Sequence, residues 1–141
     1  MSVNDIMTKR VVSVKQTDSL HTISALFEAT GFHHLLVLDG AVLTGIISDR
    51  DLLKIMSPFI GTSMERAIDA AIMERQALQI MTKSVVVVRS GATITSAISL
   101  FNKHKISCLP VINRNKEPVG IISWRDVMRY MEDKIAALRE R

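Results

Sequence analysis

Apolar residues along the chain follow two spacings, a strand-like one and a helix-like one, and the same succession of spacings occurs twice. Val11-Val12-Ser13-Val14 and Val85-Val86-Val87-Val88 are short β-branched runs that fit a pleated strand. Each is followed by apolar residues three or four apart, Leu20, Ile23, Leu26 and Phe27 first, then Ile94, Ala97, Ile98 and Phe101. That spacing lays a single apolar stripe along a helix. Asp18 or Ser19 stands where the first helix needs its N-cap and Gly31 where it needs to stop, while Thr93 can cap the second. "HLLVLD" (34–39) and "VLTGIIS" (42–48) then predict two strands joined at Gly40-Ala41. "SCLPVIN" (107–113) and "PVGIIS" (118–123) predict two more, joined at Arg114-Asn115-Lys116. A further helix begins at Arg50-Asp51 and again at Arg125-Asp126. The predicted unit is β-α-β-β-α, written twice.

The repetition extends to residue identity. "IMTK" recurs intact at 6–9 and 80–83, and Val11/Val85, Val12/Val86, Val14/Val88, Leu26/Leu100, Phe27/Phe101, Leu35/Leu109 and Val37/Val111 match at the same offset. One extra residue within "NRNKEP" restores the register at Gly45/Gly120. Such self-similarity marks an internal duplication. The sequence divides into a first repeat at 1–56, a connector at 57–78 and a second repeat with a C-terminal helix at 79–141. In the connector, Pro58 and Gly61 break the chain. Thr62-x-x-Glu65 then has the form of a capping box before a helix striped by Met64, Ala67, Ile68, Ala71 and Ile72. A half of this size buries its own apolar face poorly. The expected fold is therefore mixed α/β (α+β), with two β-α-β-β-α repeats packed about a pseudo-twofold axis.

Composition narrows the function classes. Hydrophobic residues make up 48% of the 141, enough for a core, but aromatics are only 4%, too few for base-stacking platforms. The formal charge of +4 suits an anionic ligand, yet Lys and Arg are scattered and form no basic arm, which argues against nucleic acid as the partner. Cys108 is the only cysteine, so neither an internal disulfide nor a thiolate metal cluster can form. "MSVNDIMTKR" lacks the apolar core of a signal peptide, and no apolar run has the length of a membrane span. A cytoplasmic protein without membrane contact is the expectation.

The chemistry centres on "GIISDRD" (45–51) and "GIISWRD" (120–126). Ser48-x-x-Asp51 and Ser123-x-x-Asp126 can serve simply as capping boxes, each side chain satisfying a backbone N–H of the first turn. The same geometry can also hold a ligand. A helix start offers partial positive charge and free N–H groups to an anion. A hydroxyl there can reach phosphate, a carboxylate can accept from vicinal ribose hydroxyls, Arg50 and Arg125 add charge, and the preceding glycine leaves room for the ligand. Ribose beside phosphate points to a nucleotide.

With "IMTK…V…V" opening each copy, an "SCLPV"-type strand within, and G-h-h-S-x-x-D closing it, the chain resembles a tandem pair of CBS domains (a Bateman module) along essentially its whole length. The resemblance implies an adenosyl ligand such as AMP, ADP, ATP or S-adenosylmethionine bound between the repeats as a regulatory signal, with no catalytic cofactor. It also implies two ligand-binding sets. One joins Ser48, Arg50 and Asp51 to Thr82, Val86, Ile106, Ser107 and Cys108; the other joins Ser123, Arg125 and Asp126 to Thr8, Val12, Phe32, His33 and His34. The copies differ at the rim: Trp124 replaces Asp49, Leu36 stands where the second copy has Pro110, and His33-His34 occupy positions where the family can place phosphate-contacting bases.

Other reactive residues carry less. His33 and His34 are adjacent on a strand and point to opposite faces, so they do not chelate one metal ion together. Cys108 in an apolar strand reads as a small buried hydrophobe. Ser48 and Ser123 have no histidine base nearby in sequence, and no catalytic constellation emerges. "DLLKIM" (51–56) and "DVMRYM" (126–131) carry apolar groups on more than one stripe, which predicts a homodimer. The leading expectation is a regulatory, energy-sensing module that passes nucleotide occupancy to an unknown protein by favouring one of two states. The competing reading is a ligand-free dimerisation scaffold, with nucleic-acid binding behind it.

Overall fold

A computed structural model describes residues 1–140. In chain order the elements are α1 (Val3–Ile6), β1 (Ser13–Lys15), α2 (Leu20–Thr30), β2 (His34–Asp39), β3 (Val42–Ser48), α3 (Asp49–Ile55), α4 (Ala67–Met73), α5 (Ala77–Ile80), β4 (Val88–Arg89), α6 (Ile94–Lys103), β5 (Cys108–Ile112), β6 (Pro118–Ser123) and α7 (Trp124–Arg139). They form two compact units. Val12–Val85 makes the first-repeat unit, and Met1–Val11 joins the chain from Val86 onward in the second-repeat unit.

Each unit holds a three-stranded sheet, ordered β1-β2-β3 or β4-β5-β6. The first pair of each sheet is parallel and the second antiparallel. Matching register irregularities fall at Val37/Leu38 and at Val111/Ile112. The β-α-β-β-α order is thus present twice, as the apolar spacing predicts. β1 and β4 are shorter than the valine runs that predict them. In the first unit Asp18 Oδ2 accepts from the Lys15 N–H at 2.8 Å, which turns the chain after β1, so that Asp18 serves the turn and Ser19 caps α2. Gly31 ends α2 at φ +68°, a left-handed position where the absence of a side chain removes the steric cost.

The helical stripes supply the cores. Leu20, Ile23 and Phe27 of α2 meet Leu35, Val37 and Ile47 of the sheet, with Leu52, Met73 and Ala77 closing that cluster. In the second unit Ala97 and Phe101 of α6 meet Leu109, Val111 and Ile122, closed by Val127 and by Val3 from the far N-terminus. Each fully buried Leu, Ile or Val contributes about 1.5–3 kcal/mol relative to exposure.

The segments α1 and α5 each bond to the turn that follows the first strand of the other repeat's sheet. Val3 donates its N–H to Ala92 O (2.9 Å), and Asn4 bonds Gly91 N (2.8 Å) and Ser90 Oγ (2.9 Å). In the first-repeat unit Ala77 N donates to Asp18 O (2.8 Å) and Leu78 N to Gln16 O (3.0 Å). Sequence repeats and packed units therefore do not coincide along the chain.

The connector departs from expectation. Its helix starts at Ala67 rather than after Thr62, because Asp69, 4% exposed, reaches back to the Arg66 N–H at 2.9 Å and closes the N-terminus there. Thr62 and Glu65 instead serve a turn, Thr62 Oγ1 donating to Phe59 O and Glu65 Oε1 accepting from Gly61 N. Met73 and Ile72 join the core, whereas Met64 (65% exposed) and Ile68 (63%) face outward.

Candidate ligand-binding site

Both sheets end in the same local construction. β3 runs into Ser48, whose Oγ accepts the Asp51 N–H at 3.0 Å, while Asp51 Oδ2 accepts from Ser48 N at 3.4 Å. β6 runs into Ser123, whose Oγ accepts the Asp126 N–H at 3.3 Å; Asp126 Oδ2 accepts from Ser123 N at 2.9 Å and from its hydroxyl at 3.1 Å. The capping reading is realised in both copies. It uses Oδ2 of each carboxylate. Asp126 is 7% exposed and its Oδ1 lies 3.8 Å from Arg129 Nη1, whereas Asp51 is half-buried.

A threonine is delivered beside each cap. Thr8 exchanges both backbone bonds with Ile121 (2.8 and 2.9 Å), two residues before Ser123. Thr82 exchanges both with Ile46 (2.9 and 3.1 Å), two residues before Ser48. Both threonines are exposed. Each unit thus carries a Thr-Ser-Asp set on the edge of its own sheet: Thr82, Ser48 and Asp51 in one, Thr8, Ser123 and Asp126 in the other.

The short helices α1 and α5 make this delivery, and the elements predicted from the sequence do not include them. Ser2 and Asp5 cap α1 reciprocally, and Gln79 Oε1 accepts from the Gln76 N–H at the start of α5. Each ends in a methionine in the extended conformation, Met7 or Met81. The methionine side chain then covers a strand glycine, Met7 over Gly120 and Met81 over Gly45. From the motif these glycines are expected to leave room for a ligand; instead the space above them holds a methionine sulfur. The signal was in the sequence, because "IMTK" and "GII" recur together in both copies.

The remaining residues of the expected sets divide by burial. Val12 packs against the first core, and Val86 and Ile106 against the second. Cys108 is 7% exposed, and burial pushes its thiol up to about 12, so it stays protonated and inert. Arg50, Arg125 and Ser107 are exposed, and Phe32 is half-buried.

The rims of the two sets are built differently. In the first-repeat unit His33 accepts the Asp49 N–H on its carbonyl (2.9 Å), and its Nδ1 lies 2.8 Å from Asp49 Oδ2. The bond to His33 holds the Asp49 carboxyl below its ordinary range. His34 stands across the ladder from Ser48, and burial lowers its pKa, against the opposing field of Asp49. In the second unit Trp124 occupies Asp49's place, its indole N–H donating to Ile106 O at 3.0 Å and its ring lying 5.3 Å from that of Phe101. Among the described residues no group of three His, Cys, Asp or Glu side chains is placed to hold a metal ion, and no helix is long and apolar enough to cross a membrane.

The CBS domain family profile matches residues 3–58 and 77–133. Among curated relatives, homoserine O-acetyltransferase of Methanocorpusculum labreanum is 29% identical over 124 residues, 87% of this chain and 23% of that protein. An uncharacterised 33.4 kDa protein of Thermofilum pendens is 28% identical over 91% of this chain and 43% of its own length. The chain thus spans less than half the length of these relatives. Among solved structures, AcuB of Vibrio cholerae superposes with a TM-score of 0.78 at 27% identity, covering 100% of this chain and 97% of that one. CBSX2 in complex with AMP gives 0.77 at 27% identity, covering 94% and 96%. With both repeats matched, and the duplicated fold described above, the chain belongs to the CBS domain family.

Proposed function

We propose that the chain is a regulatory module that binds an adenine nucleotide, of which AMP is the first candidate, through the Thr-Ser-Asp set of each unit. One observation carries the proposal. In both units an exposed threonine is fixed by paired backbone bonds beside a serine at a helix start and an aspartate one turn in. Hydroxyls and N–H groups at a helix start suit phosphate, and a carboxylate suits ribose hydroxyls. The AMP complex of CBSX2, 27% identical, supports the choice of ligand. S-adenosylmethionine, ADP and ATP offer the same ribose and form the comparison panel.

The module acts by population shift: a nucleotide moves an equilibrium between two states only by its difference in affinity for them. A partner protein that reads one of those states completes the signal. We further propose that the chain functions as a homodimer, since Leu53 of α3 and Met128 and Met131 of α7 stand 72%, 61% and 40% exposed. Chemistry is assigned to no residue.

Isothermal calorimetry with AMP, ATP and S-adenosylmethionine tests the binding. Thr8→Ala and Thr82→Ala remove exposed hydroxyls outside the caps, so each is expected to weaken one site about tenfold without loss of fold, a loss equivalent to about 1.4 kcal/mol. No binding by the unaltered chain across the panel would leave the ligand-free scaffold as the function.

A further inference from the structure

The connector helix turns part of its apolar stripe outward, against the burial that its spacing predicts. Ile68, Ala71, Ile72 and Arg75 stand three, one and three residues apart, on one stripe of α4 that runs on past its end at Met73. With Lys54 and Ile55 from the last turn of α3 they line an open groove of about 580 Å³. Ile55 and Ile72 form its floor, each half-buried and packed against the first core. Ile68, 63% exposed, and Ala71 form its wall. Exposed apolar side chains gathered in one groove mark an interaction surface.

Charge selects the occupant. Lys54 and Arg75 are the charged residues of the lining, and both are exposed cations. Among the described residues no carboxylate pairs with either. The backbone of Arg75 is fixed, its N–H donating to Ile72 O at 3.1 Å and its carbonyl accepting from Leu20 N at 2.8 Å. An apolar floor beside two unpaired cations fits aliphatic groups flanked by carboxylates. Helices form both sides, so the groove offers no strand edge to an extended peptide. A helix laid in the groove fits instead, anchored at i, i+3, i+4 and i+7. Ile68 to Arg75 covers about 10 Å, room for two turns of such a helix.

We infer that the α3–α4 groove docks an acidic amphipathic helix of a partner protein, with aliphatic anchors on Ile55, Ile68 and Ile72 and carboxylates on Lys54 and Arg75. α3 starts at the Ser48-Asp51 cap, so the helix assigned to the nucleotide at its start meets the partner at its end. In that link alone the inference rests on the regulatory reading above.

Fluorescence anisotropy with a synthetic probe tests it. The probe is a labelled helical peptide of about four turns, with leucine at the i, i+3, i+4 and i+7 positions and glutamate on both flanks. It is expected to bind about tenfold or more tightly than a twin carrying lysine for every glutamate. Lys54→Glu combined with Arg75→Glu is expected to invert that preference, and Ile68→Asp to weaken both peptides. All three positions are exposed, and circular dichroism checks that the variants remain folded. Equal binding of the two peptides, a preference that survives the charge reversal, or no binding of either overturns the inference. So does a homodimer that the acidic peptide dissociates in sedimentation equilibrium, since the groove then belongs to a second copy. In a chain that binds AMP by calorimetry, a peptide affinity unchanged by AMP overturns the link through α3 and leaves the groove as a docking site.

Discussion

Met81 sets its sulfur against Gly45, in the space that a methyl group on that glycine would occupy, and Met7 does the same to Gly120. Neither glycine has a positive φ, so both adopt backbone that any residue can adopt; at Gly45 only Met81 excludes a side chain, while at Gly120 the Thr8 carbonyl also stands close. Gly45→Ala is therefore expected to destabilise the chain by about 1–3 kcal/mol, the usual cost of overpacking. In a Met81→Ala background, where only the Met81 Cβ position at 3.0 Å remains, the same substitution should cost less. A thermal-denaturation double-mutant cycle reads this coupling, and additive losses would show that the methionine is not the obstacle.

The caps and the threonines are expected to separate stability from binding. Ser48→Ala and Ser123→Ala each remove an acceptor from a helix start, at about 1 kcal/mol of stability. Thr8→Ala and Thr82→Ala should leave the urea midpoint nearly unchanged while lowering nucleotide affinity. Equal stability losses from all four variants would mean that the threonines are structural.

His34 makes stability depend on pH. Burial holds its folded pKa below the ordinary 6.5, so between the two values the unfolded chain binds a proton that the folded chain refuses. Stability is then full above about pH 6.5 and is lost as the pH falls toward the folded value. Asp49, also lowered, acts in the same direction but further into acid. His34→Gln should flatten the slope of unfolding free energy just below pH 6.5. An unchanged slope would falsify the assignment to His34.

Trp124 ties α7 to the segment before β5 through Ile106 O and to α6 through Phe101. Trp124→Phe keeps a ring but loses the N–H donor, and is expected to cost about 1 kcal/mol. Trp124→Ala loses both and, at 45% exposed, should cost about 2 kcal/mol. Chemical denaturation followed by circular dichroism gives the two values, and similar losses would show that the hydrogen bond outweighs the ring.

Cys108 should resist alkylation in the folded chain, because its thiol, raised to about 12, yields almost no thiolate at neutral pH. Iodoacetamide labelling followed by mass spectrometry is expected to be complete in urea and nearly absent without it. Rapid labelling of the native chain would place the residue nearer to solvent than the fold has it.

What the sequence determined by itself is everything carried by near neighbours. Duplication, β-α-β-β-α order, Thr93 as a cap, the choice of Asp18 or Ser19 as the other, and the serine-aspartate pairs at 48/51 and 123/126 follow from local spacing and local hydrogen bonds. What only the tertiary structure decided involves partners far apart in the chain. Thr8 finds Ile121, Met7 finds Gly120, and Val3 enters a core built from residues of the second repeat. Local spacing sets which face of a segment is apolar, but not which sheet edge receives it; that choice belongs to whichever edge offers free backbone groups and a glycine-shaped gap. The buried Asp69 that starts α4 was hidden for the same reason. Thr62 offered an equally good cap in sequence, and burial of Met73 in the assembled core favours the helix that begins at Ala67.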